Sequence, residues 1–243
     1  MDRFFAFDLW GQYAHYKKIF ATTTALTYPI PVKTSLYGMF AAILGLEKKN
    51  NRYLEAFQDG DCKVGIQVIN PIAFQQININ LRAVFGAMKP NNNRKPTMME
   101  FVYRPRYRVF FTHSDSGIYA SLSRKIQHKE AFYTPTLGLA NLFANYQWLG
   151  EFPLNKIKKD DFLPIISAIP REKLLKIDHS LAFSAKGNRI VETSQYAMEM
   201  DVNRNVIKRD DLIFDQKGQL IYAKVKEATL IKIEKKEQYV VFF

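Results

Sequence analysis

The chain has 243 residues, 47% of them hydrophobic and 14% aromatic, and its 35 Lys and Arg against 23 Asp and Glu give a formal net charge of +12. This composition excludes a disordered chain, and the length fits one large domain or two small ones. A positive surplus of this size makes polyanions the leading class of partner, with nucleic acid ahead of an acidic membrane surface.

The only cysteine, Cys62, cannot form an intramolecular disulfide, which is typical of a reducing compartment. The N-terminal residues lack the charged, apolar and small-residue regions of a signal peptide. The longest apolar run, Leu36 to Leu46, is too short to span a bilayer. We therefore expect a cytoplasmic protein without a membrane partner.

The positive charge is concentrated in the middle of the chain. Residues 62–130 hold 11 Lys and Arg against 3 Asp and Glu, a net charge of +8. Residues 1–61 contribute a net +1 and residues 131–243 a net +3. A charged run is usually a solvated face, but such faces mix signs, so this segment is the candidate surface for a polyanion.

The first elements are a strand and a buried helix. Residues 3–9 are rich in aromatic residues and predict a strand that Gly11 closes. Residues 27–31 contain two prolines, which keep the backbone extended. The run from Leu36 to Leu46 is apolar on nearly every face and predicts a buried helix, with Thr34 or Ser35 as its cap.

The basic middle segment predicts strands and a hairpin. Residues 62–68 alternate apolar and polar side chains, as a half-buried strand does, and residues 76–81 repeat the pattern. The polar stretch 90–96 predicts a loop at a hairpin tip, and residues 103–111 return as a strand.

The rest of the chain predicts further helix and strand. Residues 114–117 predict a turn before a short strand through Ile118, Ala120 and Leu122. Residues 123–148 read as mostly helical, with an interruption near residues 135–139. The last fifty residues alternate as strands. The fold class is therefore α+β, with a domain over residues 1–150 and a smaller β-rich part over residues 151–243.

Motifs for nucleotide or metal chemistry are missing from the sequence. The closest two glycines are Gly60 and Gly65, so there is no dinucleotide fingerprint and no phosphate loop. The four histidines are scattered, and no nucleophile elbow surrounds a serine. The acidic pairs Asp160-Asp161 and Asp210-Asp211 are better explained as solvated turns or helix starts than as a nuclease metal site. We expect no cofactor and no metal.

Residues 103–111 carry the most informative pattern. With a period of two, Arg104, Arg106 and Arg108 share one face of the predicted strand. Their spacing of about 6.6 Å, twice the rise per strand residue, roughly matches the phosphates of an extended single strand. Arginine also stacks on bases. Four more cations flank the segment: Arg82, Lys89, Arg94 and Lys95. The pattern predicts RNA binding; a solvated strand face is the alternative.

The N-terminal residues resemble a known family. The strand from Phe4 to Trp10 with Gly11, the segment Thr27-Tyr28-Pro29-Ile30-Pro31, and the run from Ser35 to Gly45 are similar to the start of the CRISPR-associated Cas5 family. These are RAMP subunits of type I Cascade complexes, and the resemblance is strongest to subtype I-B. Residues 135–139 resemble a later Leu-Gly segment of the family.

The resemblance implies a ferredoxin-like core of the RAMP type, related to the RNA-recognition motif, with a long β-hairpin thumb at about residues 72–112. It also implies a grip on the 5′ handle of the crRNA and contacts with the Cascade backbone and large subunits. Target DNA would be met only through the complex. Antiviral defence would be its role.

By position, the resemblance places Lys33 and Ser35, at the start of the first helix, against RNA together with the basic residues of the thumb. A helix N-terminus favours phosphate, which is an independent reason for that placement. The loop after the first strand adds His15, Tyr16, Lys17 and Lys18.

Three functional hypotheses remain. One branch of the family processes crRNA as a metal-independent endoribonuclease with a Tyr, Lys and His set, and His15, Tyr16 and Lys17 supply those residue types. The Lys-His pair expected around the thumb is missing from this sequence, so we favour a non-catalytic RNA-binding subunit with no catalytic residues. The third hypothesis is a basic scaffold protein that binds only other proteins.

Overall fold

The computed structural model describes residues 2–18, 25–58, 61–82, 94–180, 188–233 and 236–243, and the statements below concern these residues. The strands of the N-terminal half are β1 (Arg3–Trp10), β2 (Tyr13–Ala14), β3 (Tyr16–Lys17), β4 (Thr27–Tyr28), β5 (Cys62–Val68), β6 (Ala73–Arg82), β7 (Arg94–Tyr103) and β8 (Arg106–His113). Those that follow are β9 (Asn145–Pro153), β10 (Asn155–Ile157), β11 (Leu163–Ile165), β12 (Ile169–Pro170), β13 (Leu174–Ile177), β14 (Ile190–Met200), β15 (Val206–Asp215), β16 (Ile221–Val225), β17 (Ala228–Ile233) and β18 (Lys236–Val240). The α-helices are α1 (Lys33–Leu44) and α2 (Ser116–Gln127), and 3-10 turns span Lys49–Phe57 and Arg171–Lys173.

The central sheet has four antiparallel strands in the order β5-β8-β1-β9. Along the chain its elements follow as strand, helix, strand, strand, helix, strand, because α1 lies between β1 and β5 and α2 between β8 and β9. Side chains alternate across β1, so Phe5, Phe7 and Leu9 share the face that packs on α1 and α2. This face and the two helices enclose the largest hydrophobic core.

The opposite face of the central sheet is covered at one end by the C-terminal part of the chain. Phe4, Ala6 and Phe110 pack there against Val240 and Phe242. This part contains a six-stranded sheet in the order β10-β17-β18-β11-β16-β13 and a three-stranded sheet in the order β12-β15-β14. Strand β14 reaches back to pack on α1, so residues from both halves of the chain share the main core.

A long hairpin of β6 and β7 extends from the core. Ten residues pair in each strand, from Ala73 opposite Tyr103 to Arg82 opposite Arg94, which makes the hairpin about 34 Å long. The short strand β2 pairs with the base of β7. The expected hairpin over residues 72–112 is too long, because the chain bends at Arg104 and residues 106–113 enter the central sheet as β8.

Two tyrosine hydroxyls hold the extended segment before α1. The Tyr107 hydroxyl donates to the carbonyl of Pro29 at 2.7 Å, and that of Tyr196 donates to the carbonyl of Pro31. Burial raises the pKa of both tyrosines, so they stay protonated donors. Since Tyr107 lies in β8 and Tyr196 in β14, these bonds tie the start of α1 to both halves of the chain.

Several predicted elements are found where they were expected. Residues 3–9, 62–68 and 76–81 lie in β1, β5 and β6, and the last fifty residues are mostly strands. The run from Leu36 lies in α1, and Gly45 ends it in the left-handed conformation. The predicted cap at Thr34 or Ser35 is wrong, because both residues lie inside the first turn and Val32 is the cap, without a side-chain hydrogen bond.

The strand predicted at residues 118–122 is wrong. This segment lies in α2, whose cap Asp115 accepts hydrogen bonds from the backbone N–H groups of Gly117 and Ile118. The predicted helix over residues 123–148 ends at Gln127, and β9 begins at Asn145. Part of the predicted loop 90–96 is strand, since β7 begins at Arg94; residues 90–93 lie outside the described residues. No helix in the described part of the chain is long and apolar enough to cross a bilayer.

Replacing Tyr107 by Phe should lower the free energy of unfolding by about 1–3 kcal/mol, because the carbonyl of Pro29 loses its buried donor. Urea unfolding followed by circular dichroism would measure the change. Tyr13→Phe is the matched control, since its hydroxyl bonds to Gln75 at the surface, and should cost less than about 0.5 kcal/mol. Equal costs for the two variants would contradict the anchoring role of Tyr107.

Candidate nucleic-acid interface

A cleft of about 580 Å³ opens beside the first turns of α1. Strand β3, the segment 133–139 and the β14–β15 hairpin form its other sides. The residues that line it with polar or charged side chains are His15, Tyr16, Lys17, Tyr28, Thr34, Ser35, Lys48, Tyr53, Tyr133, Thr134, Thr136, Gln195 and Arg204. The cleft is therefore assembled from several stretches of the chain, which range in sequence from His15 to Val206.

The segment 137–138 packs directly on the backbone of β3 and the residue before it. The N–H of His15 donates to the carbonyl of Leu137 at 3.0 Å. Gly138 has φ +99°, and a Cβ added there would lie 1.9 Å from the carbonyl oxygen of His15. Only glycine fits this approach. The Leu-Gly segment thus fixes one wall of the cleft against His15.

His15 is 3% exposed and lies at the edge of the cleft. Its Nδ1–H donates to the carbonyl of Glu100 at 2.7 Å, since a carbonyl oxygen can only accept. Burial lowers the pKa of His15, although the hydrogen bond to Glu100 opposes this effect. The imidazole is therefore neutral at neutral pH, and its Nε2 carries a lone pair.

The rim of the cleft is cationic. Lys17, Lys48 and Arg204 line it and are exposed, and none of the described residues that line the cleft is acidic. The three cations come from β3, from the residues after α1, and from the turn between β14 and β15. Such a rim attracts anions, and phosphate is the anion that a strongly basic chain most often meets.

The inner wall of the cleft is apolar. Met39, Ala42 and Leu46 line it together with the rings of Tyr53 and Tyr133. A Cβ added at Gly38 would meet nothing within 4 Å, so the helix leaves open space at this point. An apolar wall with aromatic rings below a cationic rim suits a nucleotide, whose base is flat and apolar and whose phosphate is charged.

The residues predicted around the first helix and loop do not all reach this cleft. Ser35 and Lys17 line it. Lys33 is 1% exposed, with its ammonium 5.9 Å from the ring centre of Tyr37, so it is not presented at the surface. Lys18 lies beside the cleft, with its ammonium 5.8 Å from the ring centre of Tyr28. Tyr16 lines the cleft but is 3% exposed, and its hydroxyl is buried.

The cations predicted on the hairpin lie at its far end. The register places Arg82 opposite Arg94 and Lys95 opposite Leu81. Lys89 lies outside the described residues. The backbone register therefore places three basic residues in the last two pairs of the described hairpin.

The three predicted arginines do not lie on one strand of the hairpin. Arg104 has φ +45° and lies at the bend between β7 and β8, whereas Arg106 and Arg108 lie in the central sheet. Asp8 binds both of these, with its Oδ2 2.9 Å from Nη2 of Arg106 and its Oδ1 2.9 Å from Nε of Arg108. Sequence reasoning missed Asp8 as their partner, because it precedes Arg106 by 98 residues. Arg106 and Arg108 therefore share one face of β8, and the expected face of three arginines is shortened because Arg104 lies at the bend outside this strand.

Two further cations of the cleft, Lys48 and Arg204, were not predicted. Lys48 lies after the end of α1, and Arg204 lies in a turn with φ +65°. No local pattern connects these residues to Lys17. No group of three His, Cys, Asp or Glu side chains that could hold a metal ion occurs among the described residues.

Comparison with known families and structures gives a consistent result. The family described as CRISPR-associated protein (Cas_Cas5) matches residues 4–137. No curated protein is similar enough to this chain to match it. The family match includes β1, α1, the hairpin and α2, and with them much of the cleft.

Among solved structures, a CRISPR protein from Archaeoglobus fulgidus superimposes with a TM-score of 0.53 at 12% identity, covering 98% of this chain and 97% of that one. A structure described as a Cas protein gives 0.50 at 14% identity, covering 91% and 95%. A chain of a CRISPR RNA-guided surveillance complex gives 0.47 at 14% identity, covering 90% and 91%. The chain therefore has the mixed α/β, strand-rich fold of the first two proteins.

The buried His15 should make folding sensitive to acid. Because its pKa is lowered in the folded state, the unfolded chain binds the proton first, and stability is lost as the pH falls below the unfolded value of about 6.5. In the variant His15→Asn, whose amide can still donate to Glu100, this contribution is absent. Urea unfolding at pH 7.5 and pH 5.5 should therefore show a smaller loss of stability for the variant than for the wild type. Equal losses would show that His15 does not protonate more easily on unfolding.

Proposed function

The chain belongs to the CRISPR-associated Cas5 family, and we propose that it is a non-catalytic RNA-binding subunit of a type I CRISPR effector complex. In this proposal it holds the 5′ handle of the crRNA and links the large subunit to the backbone subunits. The observation that carries the proposal is the cleft beside α1, with its cationic rim, apolar wall and lack of acidic lining residues among those described.

The order of the strands supports a ferredoxin-like core of the RAMP type. The central sheet β5-β8-β1-β9 and the two helices follow the alternation of that fold, in which both helices pack on one face of an antiparallel sheet. We further propose that the β6–β7 hairpin is the thumb. Its basic end, Arg82, Arg94 and Lys95, together with Lys89, would then contact RNA.

The position of the cleft supports binding of a phosphate there. It runs along α1, a helix of 12 residues, from the first turn, where the positive end of the helix dipole favours an anion. Ser35 lines the cleft from the first turn of α1, and Lys17 lines it from β3. A phosphate between them would be neutralised at the rim, while the attached base could lie against Met39 and Tyr133.

Changing Lys17, Lys48 and Arg204 together to Ala should weaken binding of a repeat-derived RNA. Because each lost phosphate contact reduces the slope of log K against log salt by about 0.7 for a single strand, the triple variant should lose up to about 2 in slope. Filter binding or fluorescence anisotropy across a series of salt concentrations measures the slope.

The matched control replaces by Ala three exposed lysines that are far in sequence from the residues lining the cleft: Lys158, Lys159 and Lys176. It lowers the net charge by the same amount, so a general electrostatic effect would change both variants equally. An unchanged slope in the cleft variant, or equal changes in both, would contradict the assignment of the cleft as the RNA site.

A second candidate function is metal-independent endoribonuclease activity. The observation in its favour is that His15 and Lys17 line the same cleft and that His15 is neutral, as a general base must be. Cleavage would need the 2′-OH of the RNA to reach Nε2 of His15. The low exposure of His15 and the burial of the Tyr16 hydroxyl make us favour the non-catalytic function.

Incubation of the pure protein with repeat RNA in EDTA separates the two functions. The non-catalytic function predicts intact RNA after prolonged incubation, with His15→Asn behaving like the wild type. A cut at one fixed position that disappears in His15→Asn would establish the enzyme instead.

The exposed apolar residues support contacts with protein subunits. Phe132 is 65% exposed, and Phe143 and Ile207 are each 63% exposed. Large apolar side chains at this exposure are typical of interaction surfaces when they lie close together. We propose that the backbone and large subunits cover such residues. If the protein is instead a scaffold that binds only proteins, ultraviolet crosslinking in cells would recover no crRNA with it.

A further inference from the structure

A groove of about 420 Å³ lies at the end of the central sheet, where β1 ends and the hairpin joins β8. It is separate from the cleft beside α1 and shares none of its lining residues. The groove is lined by Trp10, Gly11, Gln12, Asn70, Arg104, Pro105, Arg106 and Asn145. None of these is acidic, and three carry side-chain amides.

The groove lies beside the uncovered end of one sheet face. Asp8 and Trp10 share this face with Phe4 and Ala6, since side chains alternate along β1. The C-terminal part packs on Phe4 and Ala6. In the register, Trp10 is opposite Arg106 on one side and Asn145 on the other. The polar end of this sheet face, at Asp8 and Trp10, therefore extends past the residues on which the C-terminal part packs.

Arg106 is held in one orientation and still has a free side. Its Nη2 donates to Asp8 at 2.9 Å, and its guanidinium carbon lies 5.4 Å from the ring centre of Trp10. Its side chain is 42% exposed. Its Nε is buried and has no hydrogen-bond partner among the described residues. The hydrogen bond to Asp8 therefore fixes the guanidinium plane, and the indole of Trp10 packs against it.

Arg104, on the other side of Pro105, also lies beside an aromatic ring. Its guanidinium carbon lies 5.1 Å from the ring centre of Tyr103, and the residue is exposed. Its φ of +45° is unusual for a residue with a side chain. Backbone bonds hold this conformation, because its N–H donates to the carbonyl of Gln12 and its carbonyl accepts from Asn70 Nδ2. Strain of this kind concentrates at functional sites.

The chemistry of the groove favours a nucleic-acid base over an acidic peptide. Asp8 already occupies part of the hydrogen-bonding edge of Arg106 with which a carboxylate would pair, so a peptide carboxylate would have to compete with it. The free side of the guanidinium plane remains available, and unpaired bases stack on arginine planes. The amides of Gln12, Asn70 and Asn145 can bond to base edges.

We propose that this groove is a second RNA-binding site, in which an unpaired base stacks on the Arg106 guanidinium. The inference rests on the proposed function for the identity of the RNA. His15 at the cleft lies only five positions after Trp10, which limits the distance between their Cα atoms to about 18 Å. One RNA strand can therefore reach both sites.

The test compares Arg106→Lys with Arg106→Gln by anisotropy, using labelled repeat RNA. Stacking needs the guanidinium plane, whereas a phosphate contact needs only the positive charge. If a base stacks, both variants should bind about 5-fold to 100-fold more weakly than the wild type, the range expected for one stacked base. Arg106→Lys should keep the salt slope of the wild type. Arg3→Lys, at the other end of β1, is the matched control and should bind normally.

A second measurement uses the fluorescence of Trp10, which lines the groove. The chain has two tryptophans, so Trp148→Phe leaves Trp10 as the only indole. Unlabelled oligoadenylate should change the emission of Trp10 in this variant and leave that of Trp148 in Trp10→Phe unchanged. A change produced by a polyglutamate peptide and not by the RNA would overturn the assignment to RNA.

The two proposals fail differently. If RNA binds but Arg106→Lys and Arg106→Gln bind as the wild type does, the stacking site is wrong and the proposed function stands. Full rescue by Lys with a loss in Gln would also overturn stacking. If the wild type binds no RNA, the proposed function fails, and the second site fails with it.

Discussion

The cleft depends on how the chain holds the two prolines before α1. Pro29 and Pro31 have no N–H, so this segment cannot complete an ordinary strand ladder, and its carbonyls need other donors. Tyr107 and Tyr196 supply them from the central sheet and from β14. The same bonds therefore fix where α1 begins and bring the β14–β15 hairpin against it. Without this junction the cleft would lose one of its walls.

The local patterns that predict the fold are those in which burial repeats along the chain. Alternation identifies β5 and β6, and an apolar run identifies α1, because each buries a continuous face. The error at α2 has a physical cause. Gly117 and the alternation of Ile118, Ala120 and Leu122 suggest a strand, but the two hydrogen bonds that Asp115 accepts start a helix there, and Tyr119, Leu122 and Ile126 form its buried stripe.

The site was predictable only in part, for a different reason. Lys17 and Ser35 follow from residue types near the first strand and helix, and both line the cleft. Arg204 joins them only because β14 packs on α1, a contact between residues more than 140 positions apart that no local pattern reports, whereas Lys48 lies just after α1. Lys33 fits the same local reasoning as Ser35, yet it is buried. A helix N-terminus specifies a region of the surface but not which of its side chains face outward.

The positive charge of residues 62–130 lies in two different places in the structure. Part of it lies at the end of the hairpin, and part lies in the central sheet, where Asp8 partly compensates Arg106 and Arg108. An arginine bound to a buried carboxylate contributes less long-range attraction than a free one, but its plane is held in place. The hairpin end and the cleft rim are therefore suited to attract a phosphate backbone, whereas the fixed plane of Arg106 is suited to stack on a base at short range. The net charge of the segment indicates the long-range attraction but not the short-range contact.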